Sequence, residues 1–261
     1  MLRVIPRVWS SGFALVVVAI ASCTAPTPDS SPTPDSSPIL TPDSNPTATP
    51  KTLSQADRAA ASRLRQLGLE YRSAGEFDAA ITALQESVAL DPETLSGSVI
   101  LGWTLHLAGR VAEAEQALQV ALKRAPDHIP ALNALGIVYL VDSQLDLAIS
   151  THERAADLNP DNEIAFYNLS LAYQRVGKFG MAIEKARRAT ELEPQNPHPW
   201  VALAIAHWSF EESAAAREAY QRAIQLDSRY QDSAYLGHLQ QAGFSSEQIQ
   251  LSDRIRQAFD L

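Results

Sequence analysis

Cysteine is nearly absent: Cys23 is the only one in 261 residues. An intrachain disulfide is thereby excluded, and the six histidines stand apart, with no CxxC, HExxH or paired His/Cys spacing, so no metal site is read. Basic residues are also scarce. Lys and Arg total 21 against 30 Asp and Glu, a formal net charge of −9. The first 22 residues carry Arg3 and Arg7 and no acid, so the chain from Cys23 onward carries −11. Such a chain repels phosphate backbones, and no basic stripe interleaves with aromatics, so nucleic acid is not an expected partner. Methionine (2) and phenylalanine (7) are few, and the 46% apolar content rests on alanine and leucine, which favours closely packed helices. Neither a GxSxG, nor a Walker loop, nor a GxGxxG opening a helix after a strand occurs. No enzyme, cofactor or small-molecule substrate is therefore expected, and glutamates such as Glu113 and Glu184 read as solvated helix faces.

What is present begins with a segment built like a secretion signal. Arg3 and Arg7 precede an apolar run from Phe13 to Ala21, followed by small residues. The run is short of the ~20 residues that span a bilayer, although an uncleaved anchor helix is the competing reading. The four residues Ile20–Ala21–Ser22–Cys23 resemble the bacterial lipobox. That resemblance implies that the Cys23 thiol receives a diacylglyceryl group and that the chain is cut before Cys23. It further implies acylation of the new amino group, since durable attachment takes more than one acyl chain.

Proline then becomes abundant. Eight of the sixteen prolines fall between Pro26 and Pro50, and the unit TPDS starts at Thr27, Thr33 and Thr41. Proline removes backbone donors and few apolar side chains are available, so residues 23–53 are expected to form a disordered, stiff linker with no core. At ~3.1 Å per residue it would hold a following domain up to about 85 Å from a membrane. A plain spacer and a stalk through a cell-wall layer are both compatible with that composition.

From Ala61 the chain repeats every 34 residues. One column reads Ala80, Ala114, Ala148, Ala182, Ala216; another reads Leu67, Leu101, Leu135, Leu169, Leu203. A small-residue column reads Gly68, Gly102, Gly136, Ser170, Ala204, and a turn column Gly75, Gly109, Ser143, Gly177, Glu211. The end column is Pro92, Pro126, Pro160, Pro194, Ser228. Within a unit, Leu64, Leu67, Gly68 and Tyr71 form the apolar stripe of one helix, and Ala80, Leu84, Ser87 and Val88 that of a second. Gly75 permits the turn between them and Pro92 stops the second helix. A hairpin of this kind cannot bury its face alone, so neighbouring units must stack.

These columns resemble the tetratricopeptide repeat, most fully in Phe166, Leu169, Ser170, Tyr173, Gly177, Phe179, Ala182, Ala186, Ala189 and Pro194. Ser98, His207 and Ser228 depart from it. The resemblance implies an all-α, right-handed α-solenoid of five hairpins (61–94, 95–128, 129–162, 163–196, 197–230), in which the first helices line a concave groove. Ser54 is the expected N-cap of an extended first helix. Residues 231–261 are expected to form a capping pair of helices over the core of the fifth repeat, broken at Ala242–Gly243–Phe244, with Ser246 as N-cap and a stripe of Leu251, Ile255 and Phe259.

A second stripe on the first helices should face the groove. Its candidates for peptide binding are Arg65, Val99, Trp103, Asn133, Leu140, Tyr167, Gln174, Val201 and Trp208, an apolar centre with polar rims. Packing between repeats is the competing reading, foremost for Ile137 and Leu171. Chaperone-binding relatives of the repeat family grip a terminal carboxylate with Lys, Arg and Asn. Here those places hold Arg65, Leu69, Ile100, Pro130 and Ala134, so that clamp is missing. The expected function is a lipid-anchored, extracytoplasmic scaffold in a bacterial envelope, binding a protein or peptide partner in its groove and the membrane through its anchor. Assembly of an envelope complex heads the readings. An adaptor for proteases or wall hydrolases, a photosynthetic-membrane assembly factor and a passive spacer are the alternatives.

Overall fold

Each 34-residue unit folds as two antiparallel helices because small residues on its first helix make room for larger ones on its second. A methyl group on Gly68 would lie 2.6 Å from Cγ of Leu84, one on Gly102 2.6 Å from Cγ of Leu118, and one on Gly136 2.5 Å from Nε2 of His152. The computed structural model describes residues 53–261; the signal segment, Cys23 and the linker as far as residue 52 lie outside the described residues. The pairs are α1 (Gln55–Ser73) with α2 (Phe77–Leu90), α3 (Leu95–Leu107) with α4 (Val111–Arg124), and α5 (Ile129–Val141) with α6 (Leu145–Leu158). Then follow α7 (Glu163–Arg175) with α8 (Phe179–Leu192) and α9 (Pro197–Ser209) with α10 (Ser213–Leu226). The fold is an all-α solenoid, and no strand occurs among the described residues.

The alanine column is its innermost layer: Ala80, Ala114, Ala148, Ala182 and Ala216 are all fully buried. Only a side chain of that size lets the two helices of a pair approach closely. A turn in the left-handed region joins each pair. Its residues are Gly75, Gly109 and Gly177, with φ near +77° (79°, 75° and 76°), and also Ser143 and Glu211, both at φ 63°. Each second helix but the last ends before a proline, at Asp91, Ala125, Asn159 and Glu193, all of which have left the helical region, as a following proline favours. In the fifth unit Ser228 replaces that proline, and the chain continues directly into a 3₁₀ turn, Ser228–Gln231.

Consecutive first helices touch one another, α3 with α5, α5 with α7 and α7 with α9, whereas consecutive second helices make no comparable contact. The stack therefore curves with its first helices on the inner side. Ser54 caps α1 as expected, its hydroxyl accepting from the Asp57 amide at 3.0 Å.

The C-terminal segment departs from expectation in three ways. Ser233–Ala242 winds as a 3₁₀ helix, not an α-helix. The helix after it, α11 (Ser246–Ala258), is capped by Ser245 and not Ser246, and closes a capping box with Gln248. The third difference is where the segment lies. Its start does cover the last repeat, since the Tyr220 hydroxyl donates to the Tyr230 carbonyl at 3.1 Å. From Ala242 onward, however, it turns back along the inner faces of α7 and α9.

Candidate functional site

The inner face is divided into a covered and an open half. In the covered half, the Tyr167 hydroxyl donates to the Ala242 carbonyl at 2.6 Å, and its ring meets Phe244 edge-on at 6.0 Å. The amide of Gln248, itself buried, donates to the Leu171 carbonyl at 3.1 Å and to Oε1 of Gln174 at 2.9 Å. Trp208 packs perpendicular to Phe259 at 5.8 Å. Gly243 sits in the corner where Leu140, Asn168 and Leu171 converge, each within 4 Å of a methyl group placed on it. A seam of rings fastens the preceding turn: His198 lies 6.4 Å from Tyr230 and 5.8 Å from His238. Burial, with the His238 ring nearby, pushes the His198 imidazole down to about 4.

Several sequence candidates are consumed by this arrangement. Leu140 and Val201 are fully buried, so a free peptide does not reach them; packing is their role. Asn133 is buried too, its amide exchanging hydrogen bonds of 3.1 and 3.0 Å with Asn162, which in turn caps α7. Tyr167, Gln174 and Trp208 do face the groove, but the chain's own terminal segment occupies it. Leu171 is buried, whereas Ile137 stays half-buried.

The open half lies on α1, α3 and α5. Trp103 is half-buried with its ring 5.1 Å from His106, whose pKa is lowered by burial and whose Nδ1 has no hydrogen-bond partner among the described residues. One turn further along, Leu107 and Val141 are 46% and 48% exposed, at equivalent places in successive repeats. Sequence reasoning passed over both, although their i, i+4 spacing from Trp103 and Ile137 extends the stripe by one turn. At the N-terminal side Arg65 stands 3.5 Å from the Ser87 hydroxyl and 4.0 Å from Asp91. Val99, one turn before Trp103, is half-buried against the core. Arg72 is half-buried, desolvated enough to lower its pKa, and pairs with no carboxylate among the described residues. Among Arg65, Arg72, Val99, Trp103, His106, Leu107 and Val141 there is no acid.

A stack of paired helices with open inner-face residues is the architecture of a repeat scaffold, and sequence comparison identifies the repeat. The sequence model of the tetratricopeptide repeat matches residues 65–129 and 167–231. Over those residues the chain carries tetratricopeptide repeats. Among solved structures it resembles MamA of Desulfovibrio magneticus RS-1 (residues 41 to the end). There 21% of residues are identical over 68% of this chain and 98% of that one, with a TM-score of 0.59. A second MamA crystal structure is 22% identical over 65% of this chain and 93% of that one, with a TM-score of 0.56. At such identities the likeness is one of fold. A probable UDP-N-acetylglucosamine–peptide N-acetylglucosaminyltransferase, SPINDLY of Hordeum vulgare, is 30% identical over 109 residues. That match takes in 39% of this chain but spans only 12% of the length of that relative.

Proposed function

We propose that the chain is a lipid-anchored adaptor on the outer face of a bacterial membrane, whose open half-groove captures a protein partner during assembly of an envelope complex. The observation that carries the binding half of this reading is the inner-face patch of exposed Leu107 and Val141 beside half-buried Trp103, left uncovered while the faces of α7 and α9 are filled. Contiguous apolar side chains left in water on an inner face mark an interaction site. The anchoring half rests on the lipobox-like Ile20–Cys23 and on the proline-rich stretch after it.

Crosslinked pull-down from native membranes tests the pair. Leu107→Ser with Val141→Ser should abolish partner capture while leaving helix content unchanged, because both side chains are largely in solvent already. Capture that survives the double substitution would place the partner elsewhere. Cys23→Ser should leave the precursor uncut or release the chain from membranes; unaltered attachment would remove the lipid anchor from the reading. A passive spacer predicts that no partner crosslinks in either case.

A further inference from the structure

Arginine recurs at one register position of the second helices, as Arg154, Arg188 and Arg222, each 34 residues from the next. The first two are held by acids from the loop before their own repeat. Arg154 Nη2 donates to Asp127 at 2.7 Å and Arg188 Nη2 to Asp161 at 2.8 Å. Arg188 also meets Glu191 at 3.3 Å. The third rung breaks the pattern. Thirty-four residues beyond Asp161 stands Gln195, and the same step beyond Glu191 reaches Gln225. Both carboxylate partners have become neutral amides. Arg222 keeps a 3.2 Å hydrogen bond to Oε1 of Gln225 and forms no ion pair among the described residues.

This guanidinium lines a cleft of about 420 Å³ formed by α8, α9 and α10, on the side of the solenoid away from the groove residues. Trp200, Leu203 and Ala219 give the cleft an apolar wall, with Arg222 6.0 Å from the centre of the Trp200 ring. The indole is itself oriented, its N–H donating to the Pro194 carbonyl at 3.2 Å. Arg187 lines the same cleft, also with no ion pair among the described residues. Of the nearby acids, Glu218 lines the cleft, while Glu212 is engaged by Nδ1 of His207 at 2.5 Å. Two guanidiniums thus face one unengaged carboxylate, a local positive excess in a chain of net charge −9. The cleft one repeat earlier differs in three ways: Phe166 stands for Trp200, Glu153 stands 34 residues before Arg187, and Arg188 already has its acids.

We propose that the α8–α9–α10 cleft is a second docking site, separate from the groove, for a partner segment carrying an acidic side chain next to a bulky apolar one. The carboxylate takes the place between Arg222 and Arg187 that Asp161 takes at Arg188, since a planar guanidinium pairs best with a planar carboxylate. The apolar neighbour packs on Trp200 and Leu203.

Calorimetric titration of the full chain in detergent with N-acetyl-Glu-Phe-amide tests this. Saturable binding is expected, weakened at least about tenfold by Arg222→Gln, in keeping with loss of one partner of a hydrogen-bonded charge pair. Gln195→Asp should weaken it as much by supplying the missing acid internally, with thermal stability equal to or above the parent, which separates a filled site from a damaged fold. Leu107→Ser with Val141→Ser should leave the titration unchanged, so that failure of the groove reading and failure of this one are distinguishable. No saturable binding by the parent, or binding undiminished in Gln195→Asp, overturns the proposal. Glutarate binding as tightly as the dipeptide overturns the assignment to a protein segment.

Discussion

The side-chain amide of Gln248 donates to the main-chain carbonyl of Leu171, 77 residues earlier, at 3.1 Å. This contact draws α11 onto the inner face of the fourth repeat. A donor is needed there, and Gln248 supplies it while its Oε1 accepts from the Ser245 amide at 3.0 Å to close the helix cap. One side chain thereby starts a helix and docks it.

Gln248→Glu keeps the capping acceptor and loses the donor. It also places a carboxylate in a buried site facing a carbonyl. An uncompensated buried charge costs about 3–5 kcal/mol, so α11 should detach from the groove while the repeats stay folded. Hydrogen exchange measures this directly: amides of α11 should lose protection, and those of α2, on the far repeat, should not. Equal protection of α11 in the two proteins would show that the amide contact does not hold it.

The two groove tryptophans should part company in the same measurement. Trp208 stacks edge-on against Phe259, whereas the ring partner of Trp103 is His106 on its own helix. Trp208→Ala should speed exchange in α11 several-fold, as expected for loss of an aromatic pair worth about 0.5–1.5 kcal/mol beyond its buried area. Trp103→Ala should leave α11 unchanged and lower partner capture instead.

His152 is a fully buried imidazole whose two nitrogens have no hydrogen-bond partner among the described residues. Burial pushes its pKa down to about 3. The unfolded chain therefore binds a proton near pH 6.5 that the folded chain refuses. Stability from this site is complete above about pH 6.5 and falls as pH drops towards 3, by about 1.4 kcal/mol per pH unit. His198 adds a second fall of the same sign down to about pH 4. Leucine stands at the equivalent place in the first two repeats, as Leu84 and Leu118 over Gly68 and Gly102. His152→Leu should thus raise stability at neutral pH by about 1–2 kcal/mol and reduce the acid slope. Thermal melts between pH 4 and 7.5 are the check, and an unaltered slope would assign the acid sensitivity to other groups.

Glu211 turns with φ 63°, where its column equivalents are mostly glycine. A side chain in that region costs about 1–2 kcal/mol, partly offset by the entropy that glycine loses on folding. Glu211→Gly should gain about 0.5–1 kcal/mol, or about 2 °C in the melting temperature of a domain of this size. Ser143→Gly should gain less despite the same φ, because the Ser143 hydroxyl accepts from Arg175 at 2.8 Å. A melting temperature unmoved by Glu211→Gly would mean that the turn carries no strain.

The groove was legible only as a surface. That Tyr167, Gln174 and Trp208 face inward follows from their spacing along the first helices, as does the apolar character of the middle of the stripe. Their occupant does not. Leu251, Ile255 and Phe259 announce that the terminal segment must bury an apolar stripe, but a stripe states a need for cover and not an address. The Asn133–Asn162 pair shows the same limit: two polar residues 29 positions apart satisfy each other, and nothing in either local pattern says so.

The sequence by itself determined the repeat: period, hairpin, alanine layer and turn column are written in residues three, four and 34 apart, where helix geometry and stacking leave little choice. Local spacing carries that much because each repeat contacts chiefly its neighbours. Tertiary structure alone decided what becomes of the faces so formed. It filled half of the inner face with α11, left Trp103, Leu107 and Val141 in the other half, and left Arg222 without an acid in the cleft of the last repeat. Those outcomes depend on contacts between residues far apart in the chain, which close only once the solenoid has brought them together.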